Sequence, residues 1–227
     1  EKTKVVMYNS PNNPTGVIYK EDMLKGMNDV ITAAKKKYGT QIFVIADEPY
    51  VKIVYDGKKV PSVFNFFKNA ISVNSFSKSL AVPGERIGYI AVSPEIDNAD
   101  LLMDALIFCN RTLGYVNAPA VGQHIVIDCI NESIDVEYYK KRRDLLYNAL
   151  VDLGFKCIKP EGAFYLFPES PIPDDVAFTK LALKYNLIIV PGSGFGCGGY
   201  LRLTYCVDYE MIERSLPAFE KLAKEVF

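Results

Sequence analysis

The 227-residue sequence has no tryptophan, a single histidine, five cysteines and no long apolar run. Each shortage removes a class of function. His124, in Val121-Gly-Gln-His-Ile-Val-Ile, has no second imidazole with which to hold a metal, and reads as a structural residue of an apolar helix. Cys109, Cys129, Cys157, Cys197 and Cys206 are odd in number and show no Cys-x-x-Cys spacing. That usage fits reduced thiols in the cytoplasm, with no disulfide framework, and Cys206 reads as a buried filler. No stretch approaches the roughly 20 apolar residues of a membrane span. The formal net charge is −1, so no excess of either sign draws the chain to nucleic acid or to an acidic partner. The basic run Lys140-Lys-Arg-Arg143 reads as a solvated helix face.

What is there is 49% hydrophobic residues, enough for a large core or two modest domains. Three strand-like runs each end in polar groups. Thr3-Lys-Val-Val-Met-Tyr feeds Asn9-Ser-Pro-Asn-Asn-Pro-Thr-Gly16, and Gln41-Ile-Phe-Val-Ile-Ala runs into Asp47-Glu-Pro-Tyr50. Ala70-Ile-Ser-Val-Asn then leads into Ser75-Phe-Ser-Lys78. Between the first two, Met23, Leu24, Met27, Val30, Ile31 and Ala34 form a helical stripe ending at Gly39, so these strands should lie parallel in one sheet. Beyond Pro83-Gly84, the run 87–92 is a further strand that a short turn allows to run the other way. Helical patterns follow over 95–113, 118–131 and 136–153. After Gly154 the texture changes to short strand-like runs at 155–158, 163–167, 187–190 and 200–205, with helices over 175–184 and 209–226. The fold class is therefore α/β. A mostly parallel sheet with helices is expected over residues 1–133 and a smaller α+β domain over 134–227, with the boundary inside the long helix.

Open α/β sheets bind ligands at the carboxyl ends of their strands, and this is where the polar groups fall. An amine held at the end of a core strand is poorly solvated, which disfavours its charge and raises its nucleophilicity. Lys78 stands there, with the Ser75 and Ser77 hydroxyls and the Arg86 guanidinium suited to a phosphate. Asp47 would pair with a ring nitrogen, and Tyr50 and Asn13 would hydrogen-bond a ring oxygen. The ligand so described is a phosphorylated, protonatable aromatic aldehyde, and a lysine imine with an acidic partner for a pyridine nitrogen is the mark of pyridoxal phosphate enzymes.

At this point the chain resembles the class I/II aminotransferases of the pyridoxal 5'-phosphate (fold-type I) superfamily. The resemblance rests on Asn12-Asn-Pro-Thr-Gly16, Asp47-Glu-Pro-Tyr50, Ser75-Phe-Ser-Lys78, Pro83-Gly-Glu-Arg-Ile-Gly88 and Arg202-Leu-Thr204. Gly162-Ala-Phe-Tyr165 and Pro191-Gly-Ser-Gly-Phe-Gly196 add to it, all in the family's order. It implies that Lys78 carries the cofactor and moves the Cα proton, that Asp47 meets the pyridinium, and that Arg202 grips the substrate α-carboxylate beside Asn13. It also implies a cis Asn13–Pro14 peptide, amino acid and 2-oxo acid substrates, a homodimer, and no nucleic-acid or membrane partner. Relatives carry a substantial segment before the point where this chain opens at Glu1-Lys-Thr-Lys. The chain is therefore read as a carboxyl-terminal fragment, inactive alone.

Other readings stay open on the residues themselves. Asp47 also suits a turn or helix cap after a strand, and Arg202, alternating with Leu201 and Leu203, also suits a surface ion pair. The same motifs serve carbon–sulfur β-lyases and the ligand-sensing domains of some transcriptional regulators. Arg111, in Asn110-Arg-Thr-Leu-Gly-Tyr, either satisfies the last carbonyls of its helix or, as in some relatives, reaches across a dimer to a dicarboxylate side chain.

Overall fold

A computed structural model describes residues 2–227. The chain divides into two compact units. Among the described residues, the first comprises 2–11, 18–53 and 59–134, and the second 12–17, 54–58 and 135–227. The second unit thus takes in two short segments that a single cut at 134 assigns to the first.

In the first unit, β1 (Val5–Asn9), β2 (Phe43–Asp47) and β3 (Ala70–Ser75) are parallel, and β4 (Gly88–Val92) joins β3 antiparallel, in the order β1-β2-β3-β4. The crossover between β1 and β2 is α1 (Glu21–Tyr38). Its sequence opens with Glu21 and Asp22 and closes with Lys35, Lys36 and Lys37, matching the helix dipole. It stops at Gly39, which takes φ 66° and returns its N–H to the Lys35 carbonyl. From the expected stripe, Leu24 is buried with Tyr8, Val44, Ala46, Val63, Phe67 and Ala70, and Met27 and Ile31 pack against that cluster. Burial on this scale, at about 25 cal/mol per Å² of apolar surface, fixes which face of the sheet the helix covers. A single turn, α2 (Phe76–Ser79), follows β3, and α3 (Ala99–Thr112) and α4 (Ala120–Cys129) complete the unit.

The second unit holds α5 (Val136–Asp152), β5 (Tyr165–Leu166), α6 (Asp175–Leu183), β6 (Val190–Pro191), β7 (Leu201–Thr204) and α7 (Tyr209–Val226). Its strands form an antiparallel sheet in the order β5-β7-β6. Asp135 caps α5 by accepting from the Glu137 and Tyr138 amides, and Asp174 caps α6 from the Ala177 amide. Residues 155–158, expected as a strand, form none. Glu169 N–H donates to the Lys156 carbonyl at 2.8 Å, but no ladder develops.

The basic run on α5 is a correction. Lys140 and Lys141 lie toward solvent, but Arg142 and Arg143 are buried, at 7% and 0% exposure. Each has a reason to be inside. Arg142 donates to the Val207 and Tyr138 carbonyls and stacks on the Tyr138 ring, while Arg143 is held by two carboxylates. A buried cation so supplied with acceptors costs far less than a bare one. Cys206 also departs from expectation, since it is exposed. The Cys206 thiol donates to Tyr139 Oη at 3.8 Å.

Candidate active site

The parallel strands β1, β2 and β3 end at one edge of the first unit's sheet, and the register sets Asn9 beside Asp47 and Asp47 beside Val73. Side chains alternate along β2, so Asp47 and Glu48 leave opposite faces. Glu48 turns inward and accepts a short hydrogen bond from Ser72 Oγ at 2.5 Å. Asp47 is half-buried, and Asn9 Nδ2 donates both to its Oδ2 at 3.0 Å and to its backbone carbonyl at 2.9 Å. Burial raises the Asp47 carboxyl above its ordinary value, and the Asn9 hydrogen bond opposes that rise. A half-desolvated carboxylate held by one amide still has acceptor capacity for a cation. In the sequence Asn9 reads only as the first residue of the polar segment that follows a strand. Its role is visible only through the pairing of β1 with β2.

On the next strand, Ser75 ends β3 and caps α2. Its Oγ accepts from the Ser77 amide at 3.1 Å and donates to Ser77 Oγ at 2.8 Å. This turn presents Lys78, which is half-buried, one residue beyond two adjacent hydroxyls. Tyr50, three residues past Asp47, is buried at 4% exposure, and its carbonyl accepts the Ile53 amide. The Arg86 guanidinium bonds within its own turn. The residue sits at φ 49° with its Nη1 donating to the Pro83 carbonyl at 2.9 Å, and no hydrogen bond joins it to Ser75 or Ser77 among the described residues.

In the second unit, Arg202 on β7 lies between buried Leu201 and Leu203 and is itself half-buried, as the alternation predicts. Its Nη1 donates to Asn13 Oδ1 at 3.2 Å. The Asn13–Pro14 peptide is cis, and so is Ser10–Pro11, which the sequence did not announce. Arg111, in the last turn of α3, is exposed and lines a cavity of about 670 Å³ in the first unit, beside Asn110, Asn117 and Gln123.

A lysine, a hydroxyl pair and an amide-held carboxylate at one sheet edge suit a phosphorylated pyridine aldehyde. The profile of the family described as aminotransferase class I and II matches residues 1–219. The chain belongs to this family. The family is pyridoxal-phosphate-dependent. A probable aspartate aminotransferase of Methanocaldococcus jannaschii is 38% identical over 240 residues, covering 100% of this chain and 59% of its own length. The aspartate aminotransferase of Bacillus subtilis is 32% identical, over 99% of this chain and 58% of its own. Among solved structures, an aminotransferase from Eubacterium rectale superposes with a TM-score of 0.95 at 46% identity, over 99% of this chain and 56% of that one. The chain thus spans less than three fifths of the length of these relatives. No described helix is long and apolar enough to cross a membrane.

Proposed function

We propose that the protein of which this chain forms part is an aminotransferase that moves an amino group between an α-amino acid and a 2-oxo acid. The observation that carries the reading is the sheet edge shared by Asp47, with its Asn9 support, and the Ser75–Lys78 turn. Pyridoxal phosphate, when bound, supplies the electron sink that makes the substrate Cα proton removable. The remaining work falls to the chain. Asp47 holds a positive charge at the pyridine nitrogen, with Asn9 fixing the carboxylate. Ser75 and Ser77 donate to the phosphate, and Arg86 joins them by exchanging the Pro83 carbonyl for a charged oxygen, the stronger partner. Tyr50 and Asn13 bond the ring oxygen. Lys78 holds the cofactor, then takes the Cα proton and returns it as base and acid in turn. Arg202 binds the substrate carboxylate and so orients the Cα–H bond.

In this reading residues 1–134 belong largely to the cofactor-binding domain and the rest to a smaller domain. A homodimer is part of the proposal, supported by the apolar side chains Leu101, Phe108, Val121 and Ile127 that α3 and α4 leave exposed. A cytoplasmic location is supported by five free thiols. Aspartate is the first donor to try, because both curated relatives named above carry its name. The test is an amino-donor screen on the cofactor-loaded protein. A new 2-oxo acid should form from the donor in step with a new amino acid from the acceptor. Release of ammonia or a thiol in their place would assign the protein to the lyases and end the proposal.

A further inference from the structure

Two aromatic rings close on the Arg202 guanidinium within the second unit. Its central carbon lies 4.7 Å from the Tyr165 ring centroid and 4.5 Å from that of Phe195. Both rings come from fixed places. Tyr165 on β5 pairs with Thr204, so it is the diagonal neighbour of Arg202 across the strand pair, within reach of a large side chain. Phe195 ends the turn Gly192–Phe195, which is pinned at its first two residues. The Ser193 amide donates to the buried Asp175 carboxylate at 2.6 Å, and a Cβ on Gly192 would stand only 2.3 Å from the Cys197 carbonyl oxygen. Neither ring is placed by chance packing alone.

The geometry points to Tyr165 and Phe195 as positioning residues that set how tightly Arg202 binds a carboxylate. The inference rests on the reading of Arg202 as the carboxylate-binding group. A guanidinium is poorly hydrated on its faces and strongly hydrogen-bonding at its edge. Rings over the faces take up the part that water solvates badly and hold the plane of the fork. The N–H edge stays available, less the hydrogen given to Asn13 Oδ1. A long, flexible side chain is thereby kept in one plane before the anion arrives, and a bidentate carboxylate then costs less ordering. The effect belongs to binding, so it should appear in KM and in the dissociation constants of inert carboxylates and leave kcat largely alone.

The experiment compares Phe195→Leu, Phe195→Tyr and Arg202→Gln in the cofactor-loaded protein. Dissociation constants for propionate and succinate are read from the bound cofactor's absorbance, with KM and kcat for the best donor. Phe195→Leu, which keeps an apolar cover but removes the π face, should weaken both carboxylates and raise KM about 3- to 10-fold, the reach of a partly desolvated cation–π contact. Phe195→Tyr should restore wild-type values, since Phe195 is 37% exposed and a phenol there meets solvent. Equal loss in Leu and Tyr, or no loss in Leu while Arg202→Gln loses carboxylate binding, would overturn the positioning role alone. A silent Arg202→Gln would instead overturn the carboxylate reading beneath it. Thermal melts of each variant separate loss of fold from loss of binding.

Discussion

Arg143 and Asp56, 87 positions apart, meet in a two-pronged ion pair in the second unit, Nη1 to Oδ2 at 2.8 Å and Nη2 to Oδ1 at 3.3 Å. The arginine is wholly buried and is further bound by Asp144 and the Pro160 carbonyl, with the Tyr55 ring 4.5 Å from its guanidinium carbon. Removing it takes a donor from a carbonyl and from two carboxylates, which keep Lys140 and Lys159 beside them. Arg143→Leu should therefore cost about 1–3 kcal/mol of stability in urea unfolding, the range for hydrogen-bonding groups stripped of a partner, because the Asp56 and Asp144 carboxylates are part-exposed. Asp56→Asn should cost less, because Asp144 and Pro160 keep the cation company.

The same pair fixes a pH dependence. The Arg143 hydrogen bond holds the Asp56 carboxyl below its usual range. Its stabilising contribution is therefore complete above the unfolded pKa, near the ordinary 3.8, and is lost as pH falls through the lower folded value. The stability gap between wild type and Asp56→Asn should be constant near neutrality and close in acid. A gap that widened on acidification would contradict the assignment.

This pair also marks where the sequence stops being legible. Lys140-Lys-Arg-Arg143 looks uniformly solvated because nothing local distinguishes Arg143 from Lys141; its acceptors include Asp56, far off in sequence, and the carbonyl of Pro160. Residues 155–158 have strand composition, yet pairing depends on a neighbour, and the chain opposite supplies one bond from Glu169. By contrast, the polar ends of β1, β2 and β3 could be read directly, since each abrupt change from apolar run to polar cluster is a strand end. The α7 span 209–226 was likewise legible from its apolar period. Asn9 was not, because its meaning lies in the register that sets it beside Asp47.

Asp47 should show the reverse dependence to Asp56. Burial raises its pKa, so the folded protein without cofactor favours the protonated form more than the unfolded chain does. The wild type then loses stability as pH rises from the ordinary 3.8 through the raised folded value. Asp47→Asn keeps an acceptor for Asn9 and carries no charge. It should melt higher than wild type at pH 7 without cofactor, lose that advantage near pH 3, and bind pyridoxal phosphate poorly. A variant that is less stable at pH 7 would mean the carboxylate is better solvated than its half-buried place indicates.

Lys78 is the residue expected to carry the cofactor covalently. Borohydride reduction of the loaded protein, followed by peptide mapping, should put the label on the peptide containing Ser77-Lys78-Ser79. Lys78→Ala should lose both the label and turnover, by several orders of magnitude for the proton transfer that an aligned general base provides. A label on Lys52, whose ammonium donates to the Ile130 and Glu132 carbonyls at 3.0 and 2.9 Å, or on any other lysine would remove Lys78 from the centre of the reaction.

Donor preference can be tested at Arg111. The modest alternative, that it satisfies the final carbonyls of α3, has lost its support. The Cys109 and Arg111 carbonyls accept from the Leu113 amide, and the Arg111 side chain makes no hydrogen bond or ion pair among the described residues. It stands exposed on a cavity whose other polar side chains are the amides of Asn110, Asn117 and Gln123 and the phenol of Tyr89, with no carboxylate to compete for it. An unpaired guanidinium in that setting is suited to an incoming anion. If a partner subunit's substrate supplies it, Arg111→Ala in the dimer should impair aspartate and glutamate far more than alanine or an aromatic donor. Losing a desolvated charge pair costs about 3–5 kcal/mol, upward of about a hundredfold in kcat/KM. Equal losses across all donors would confine Arg111 to the fold of its own subunit, and the choice of a dicarboxylate donor would have to be made elsewhere.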